Sequence, residues 1–120
     1  MEQEQNTLLL KDISARLPYN PMVEYKGEIY NVLGITVGRL VLCKPFMSCA
    51  LNEYPLVEEV KIYLYPLSTM TEEQKEDMIK SSCGYGSDKN VFDWYNKNYF
   101  DYRGLIPKGL AIDATGLNIY

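Results

Sequence analysis

The side chains best suited to chemistry are Asp101, Tyr102 and Asp113, in or beside the stretch "FDYRGLIPKGLAID" at residues 100–113, and Cys83, in "CGYGSD". Two carboxylates do general acid–base work only when folding brings both to one substrate. A thiol or a phenol becomes a nucleophile beside a base. Histidine is absent from the chain, which removes the Ser-His and Cys-His pairs and every His-containing zinc pattern. The three cysteines, Cys43, Cys49 and Cys83, lack C-x-x-C spacing, so the expectation is reduced thiols packed as small apolar groups, with no metal. The Gly-x-Gly of "CGYGSD" lacks the third glycine and the preceding buried strand that a dinucleotide fingerprint needs. No constellation is complete. The sequence is therefore read as non-enzymatic, with no catalytic, cofactor-binding or metal residue assigned and no cofactor implied.

Composition narrows the partners. The chain has 120 residues, enough for one domain with its own core. Net charge is −4 and the pI is near 4.8. Binding a nucleic-acid backbone needs clustered cations, yet Lys11, Arg16, Lys26, Arg39, Lys44, Lys89, Lys97, Arg103 and Lys108 are scattered. Nucleic acid is not an expected partner. The start, "MEQEQNTLLL", has no signal-peptide character. The longest apolar stretch, "VLGITVGRLVLC", is short and interrupted by Arg39. The expectation is a soluble, cytoplasmic protein without a membrane partner. Eleven tyrosines stand against three phenylalanines and one tryptophan. Tyrosine joins a large ring to a hydroxyl, so these residues serve either the rim of a core or a binding face.

The elements that would position such groups follow from periodicity. Residues 1–6 are polar and expected to fray. Leu9, Leu10, Ile13 and Leu17 recur at helical spacing, with Lys11, Asp12, Ser14 and Arg16 placed away from that face and Pro18 as the stop. "MVEYKGEIYNVLGI" reads as a hairpin, Met22–Tyr25 and Glu28–Ile35 about a Lys26-Gly27 turn. A further turn at Val37-Gly38 leads to a third strand, Arg39–Lys44. A loop with a possible short helical turn leads to a fourth strand, "VKIYLYPLS", ended by Pro66. Thr71 and Gln74 form a capping box for a solvated helix carrying Glu72, Glu73 and Glu76. "SDKNVFDWYNKNYF" predicts a second helix, capped by Ser87 or Asp88 and ended at Asn98 or Gly104. Its Val91, Phe92, Tyr95 and Tyr99 should be buried, with Trp94 at the edge of that face. The expected fold is α+β: a small antiparallel sheet of about four strands, open to curling like an SH3-type barrel, with flanking helices.

The stretch 100–113 then reads as a corner. Gly104 and Gly109 supply sharp turns, Leu105 and Ile106 fold back on the core, Leu110–Ile112 return extended, and Lys108 stays in water. Asp101 is a turn or helix-end residue in this reading. If the stretch were instead a recognition loop, Arg103 and Lys108 would contact the partner.

"LKDISARLPY", "GEIYNVLGI", "VKIYLYPLSTMT" and "FDYRGLIPKGLAID", in that order, resemble small proteins of gut Bacteroidetes phages and prophages. That pattern has an "LPY" start, a central K-P-x-L-R-P-L-S and a terminal FD-x-x-GLI-x-x-GLA. The chain departs from it at Ile62 and Tyr65, where the pattern has proline and arginine. The resemblance implies a mobile-element setting, in the cytoplasm of a bacterial host, and carries over no catalytic residue. Two functions follow as expectations. One is an accessory module that binds a host or phage protein, or itself, as a regulator or anti-defence factor. The other is a small-molecule or nucleotide-binding protein, with tyrosines stacking on the ligand.

Overall fold

A computed structural model describes residues 2–36, 39–44, 53–82 and 87–120. Helix α1 (Glu2–Arg16) leads through a 3-10 turn at Leu17–Tyr19 into strands β1 (Met22–Tyr25), β2 (Glu28–Thr36) and β3 (Arg39–Cys43). After a 3-10 turn at Val57–Glu59 come β4 (Lys61–Pro66), α2 (Glu72–Ser82), α3 (Ser87–Lys97), and the short strands β5 (Phe100–Asp101) and β6 (Ala111–Asp113). The fold is α+β, as the order of elements predicts.

The four expected strands pair antiparallel along the path β3-β2-β1-β4. Lys26 and Gly27 both take positive φ, as a two-residue hairpin turn matched to strand twist requires. The sheet is mixed rather than wholly antiparallel, because β5 and β6 both join β4 in parallel. The extended return expected at Leu110–Ile112 is β6, but its parallel pairing with β4 and the two-residue β5 leave no periodicity to be seen in sequence. Among the described residues β3 and β5 do not pair, so the sheet is open where an SH3-type barrel would close.

One face of the sheet makes the core. Val23 and Tyr25, Tyr30 and Val32, Leu40 and Leu42, and Ile62 and Leu64 alternate inward and meet Leu9, Ile13 and Leu105. The buried stripe of α1 is not the expected one. It runs Leu9–Asp12–Ile13–Arg16, all nearly inaccessible, while Leu10 and Leu17 are half-buried beside the core. Asp12 and Arg16 are thus interior residues, contrary to the reading that set them aside from the apolar face. Burying both is tolerable because each answers the other.

The helical hairpin also needs a correction. In α2, Thr71 and Gln74 bond reciprocally at 2.8 and 3.1 Å, and Glu72, Glu73 and Glu76 are exposed, as expected. In α3, however, Phe92 is 47% exposed and Trp94 is buried. The face is turned because Trp94 stacks flat on Phe100, 5.6 Å between centroids. Its indole N–H reaches Asp77 of α2 at 2.8 Å. A buried indole needs such an acceptor, and here the neighbouring helix supplies it. Tyr95 and Tyr99 are half-buried. Helix α3 runs to Lys97, so Asn98, one of the two expected stops, marks its end, and Tyr99 adopts φ 62° just beyond it. The expected caps Ser87 and Asp88 lie in side chains outside the description, as do the Val37-Gly38 turn, Cys49 and Cys83.

Candidate functional site

The carboxylates singled out for chemistry serve structure. The buried carboxylate of Asp101 accepts the backbone N–H groups of Leu105 and Ile106 at 2.8 and 2.9 Å. Asp113 is exposed and accepts the Thr115 N–H at 2.9 Å. Hydrogen bonds from the Thr115 side chain and backbone hold its carboxyl below the ordinary range. Each carboxylate therefore closes its own turn, and no shared site forms between them. Gly104 and Gly109, at φ 73° and 76°, make the corner's two left-handed bends. Leu105 is fully buried and Lys108 is exposed. Cys43 lies buried in β3. Among the described residues no group of histidine, cysteine or carboxylate side chains is placed to hold a metal ion.

A polar network ties this corner to α1. Arg16 donates through Nε and Nη2 to both oxygens of Asp12, at 2.9 and 3.1 Å. It also donates to the backbone carbonyl of Phe100 at 2.6 Å. Arg103 reaches the same carboxylate at 3.0 Å and donates to the Tyr102 hydroxyl at 2.7 Å, which in turn donates to Asn96. The Arg103 guanidinium lies over the Tyr102 ring, and Phe92 and Tyr95 both stack on that ring. The sequence carried one signal for this: Asp12 and Arg16 are an i, i+4 pair that straddles Ile13 on the helix surface.

The surface open to a ligand lies elsewhere. Two clefts share a wall made by Tyr99 and Tyr120, whose rings stack at 3.5 Å with planes 8° apart. The wall is fixed at both hydroxyls. Tyr99 donates to the carbonyl of Tyr19. Tyr120 accepts the Met22 N–H at 2.9 Å and donates to the Tyr63 carbonyl at 2.8 Å. Its hydroxyl thereby bridges β1 and β4 just past their last paired residues, Val23 and Ile62. Part of the Tyr120 ring remains accessible, but the hydroxyl is enclosed between backbones, and that burial pushes the phenol well above its usual range. Burial also raises Tyr99, against the opposing charge of Arg16.

The first cleft, about 460 Å³, is bordered by Thr69, Thr71, Gln74 and Lys97. The second, about 560 Å³, is bordered by Ile29, Asn31, Leu117 and Asn118 and has no charged side chain among the described residues of its lining. Asn31 stands out chemically. Its Oδ1 is buried and has no hydrogen-bond partner, the one such side-chain atom among the described residues. No protein-family model, curated protein or solved structure matches this chain. The second cleft belongs to the outer face of the sheet, since Ile29, Asn31 and Leu33 alternate with the inward Tyr30 and Val32. Sequence reasoning had no access to it, because its two sides are some ninety residues apart in the chain.

Proposed function

We propose that this chain is a non-enzymatic protein-interaction module, a phage or prophage accessory that engages a host or phage protein through the outer face of β2 and the segment 117–120. The observation that carries this reading is the apolar surface around the second cleft. Ile29, Leu117 and Tyr120 line it and keep 38, 50 and 37% of their surface exposed, and Leu33, further along the outer face of β2, keeps 48%. Contiguous exposed apolar groups of this kind are typical of interaction sites, and tyrosine is enriched in them. The carboxylates support a binding role over a catalytic one, since Asp12, Asp101 and Asp113 are all engaged in holding the fold. Arg16 and Arg103 are likewise spent on Asp12, which leaves little clustered cation for nucleic acid. The mobile-element setting rests on the resemblance of the four sequence blocks.

The alternative, a small-molecule or nucleotide-binding protein, draws on the clefts themselves. Among the described residues Lys97 is the one lysine or arginine bordering either of them, a weak provision for phosphates. A neutral ligand suits the second cleft better than a nucleotide does.

The test compares the wild-type chain with Ile29→Asp/Leu117→Asp as baits in bacterial host lysate, alongside sedimentation to detect self-association. The expected result is specific loss of a recovered protein, or of a dimer, with an unchanged melting temperature. Identical recovery by both baits, with both chains monomeric, overturns the reading.

A further inference from the structure

We propose that residues 115–120 are a strap with two positions, in which the Tyr120 hydroxyl stands in for a missing rung between β1 and β4 and the rung closes when the strap lifts. The strap is read from backbone geometry; its consequence for binding rests on the protein-interaction reading above.

The register shows what the hydroxyl replaces. Strands β1 and β4 pair Glu24 with Lys61 and Val23 with Ile62, so the next step of the ladder sets Met22 opposite Tyr63. Backbone groups of successive strand residues face opposite edges. The Pro21 carbonyl accepts the Val32 N–H of β2, so Met22 faces β4. The Leu64 carbonyl accepts the Ala114 N–H just past β6, so Tyr63 faces β1. Met22 and Tyr63 are thus the two sides of a hydrogen-bonded pair that has not closed. The Tyr120 oxygen sits between them, 2.9 Å from the Met22 nitrogen and 2.8 Å from the Tyr63 carbonyl oxygen. As long as its ring stays seated on Tyr99 the strands are held apart. When the whole side chain leaves, the Met22 N–H can donate directly to the Tyr63 carbonyl and the freed phenol is hydrated. The cost of an unpaired backbone group is what ordinarily holds such a contact shut. Here both positions satisfy that N–H and that carbonyl.

The remaining hold on the strap is slight. Residues 115–118 are exposed. Among the described residues the one backbone hydrogen bond made by 116–119 is Leu117 N–H to Ala114, within the strap's own turn. The closed position keeps the ring contacts of Tyr120 with Tyr99 and Tyr65. Tyr99 stays behind, because its hydroxyl is held by the Tyr19 carbonyl. Lifting therefore removes half of the wall, joins the two clefts that share it and withdraws Leu117 from the proposed docking face. The closed strap is the binding-competent position.

The experiment is NMR on the isotope-labelled chain. Tyr120→Ala removes the wedge, and the expected result is a through-hydrogen-bond coupling between the Met22 amide nitrogen and the Tyr63 carbonyl carbon that wild type lacks. In wild type, relaxation-dispersion and saturation-transfer profiles at Met22 and Tyr63 should report an open population of about 0.1–10%, with the backbone shifts of Tyr120→Ala. No coupling in folded Tyr120→Ala, or flat wild-type profiles, overturns the strap; the wild-type profiles decide alone if Tyr120→Ala does not fold. Tyr120→Ala should also recover less partner, or less dimer, than wild type. Recovery equal to wild type, while Ile29→Asp/Leu117→Asp still loses it, overturns the gating of the docking face. If Ile29→Asp/Leu117→Asp loses nothing either, it is the protein-binding reading that fails, and the coupling and the profiles still decide the strap.

Discussion

In the C-terminal corner, every buried charge has a partner: Asp12 holds two arginines, Arg16 also holds the Phe100 carbonyl, and Asp101 holds two backbone amides. Asn31, a residue bordering the second cleft, carries a buried amide oxygen that has none. The two regions lie on opposite sides of the tyrosine wall's supporting strand, β4, and they handle polar groups in opposite ways. A fully paired network can rigidify and specify a fold. An unpaired acceptor is a standing cost of about 1–3 kcal/mol unless something outside the chain meets it. The corner, with its conspicuous glycines and charges, is therefore architecture.

Breaking the corner should have the largest effect. Asp12→Ala strands a fully buried guanidinium and a second, mostly buried one, and is expected to cost about 3–5 kcal/mol in denaturant unfolding. Adding Arg16→Met in that background should recover part of the loss, since removing the unpaired charge matters more than restoring the pair. A cost below about 1 kcal/mol for Asp12→Ala would mean that the network is solvated and the comparison is false.

The shared wall should respond less. Tyr120→Phe leaves the Met22 N–H and the Tyr63 carbonyl without their bridge, an expected loss of about 1–3 kcal/mol. It also changes the pH dependence. The folded phenol lies above its unfolded value, near 10, so its contribution is full below about pH 10 and is lost as pH rises towards the folded value. Tyr120→Phe should make the alkaline decline of stability shallower. A decline identical to wild type would show that the hydroxyl is not enclosed as described.

The smallest effect sharpens the reading of the corner. Lys108 is exposed on its turn, and Lys108→Ala should change stability by no more than about 0.5 kcal/mol. Partner recovery should also be unchanged. Loss of the partner with unchanged melting would make the corner a recognition loop as well as a structural one.

Local chemistry was legible where it acts over a few residues. The Lys26-Gly27 hairpin, the Thr71–Gln74 capping box and the left-handed glycines of the corner are each decided by steric or hydrogen-bonding needs within about one turn. The helix faces were read less well, and for a common reason. Leu10 and Leu17 mark α1 as amphipathic, yet the buried stripe centres on Asp12 and Arg16, because the carbonyls and the second arginine that satisfy them come from residues 95–103. Phe92 outranks Trp94 in no local sense; Trp94 is buried because Asp77 and Phe100 await it.

The sequence alone thus determined the α+β class, the antiparallel meander, the solvated α2 and the turn at residues 104–109, since periodicity and backbone sterics are local. Tertiary structure alone decided that β5 and β6 add to β4 in parallel, that two charges of α1 point inward, and that Tyr99 and Tyr120 meet between two clefts. Those outcomes depend on pairing groups far apart in the chain, where the free energy of satisfying a buried donor or acceptor outweighs any preference a single residue carries.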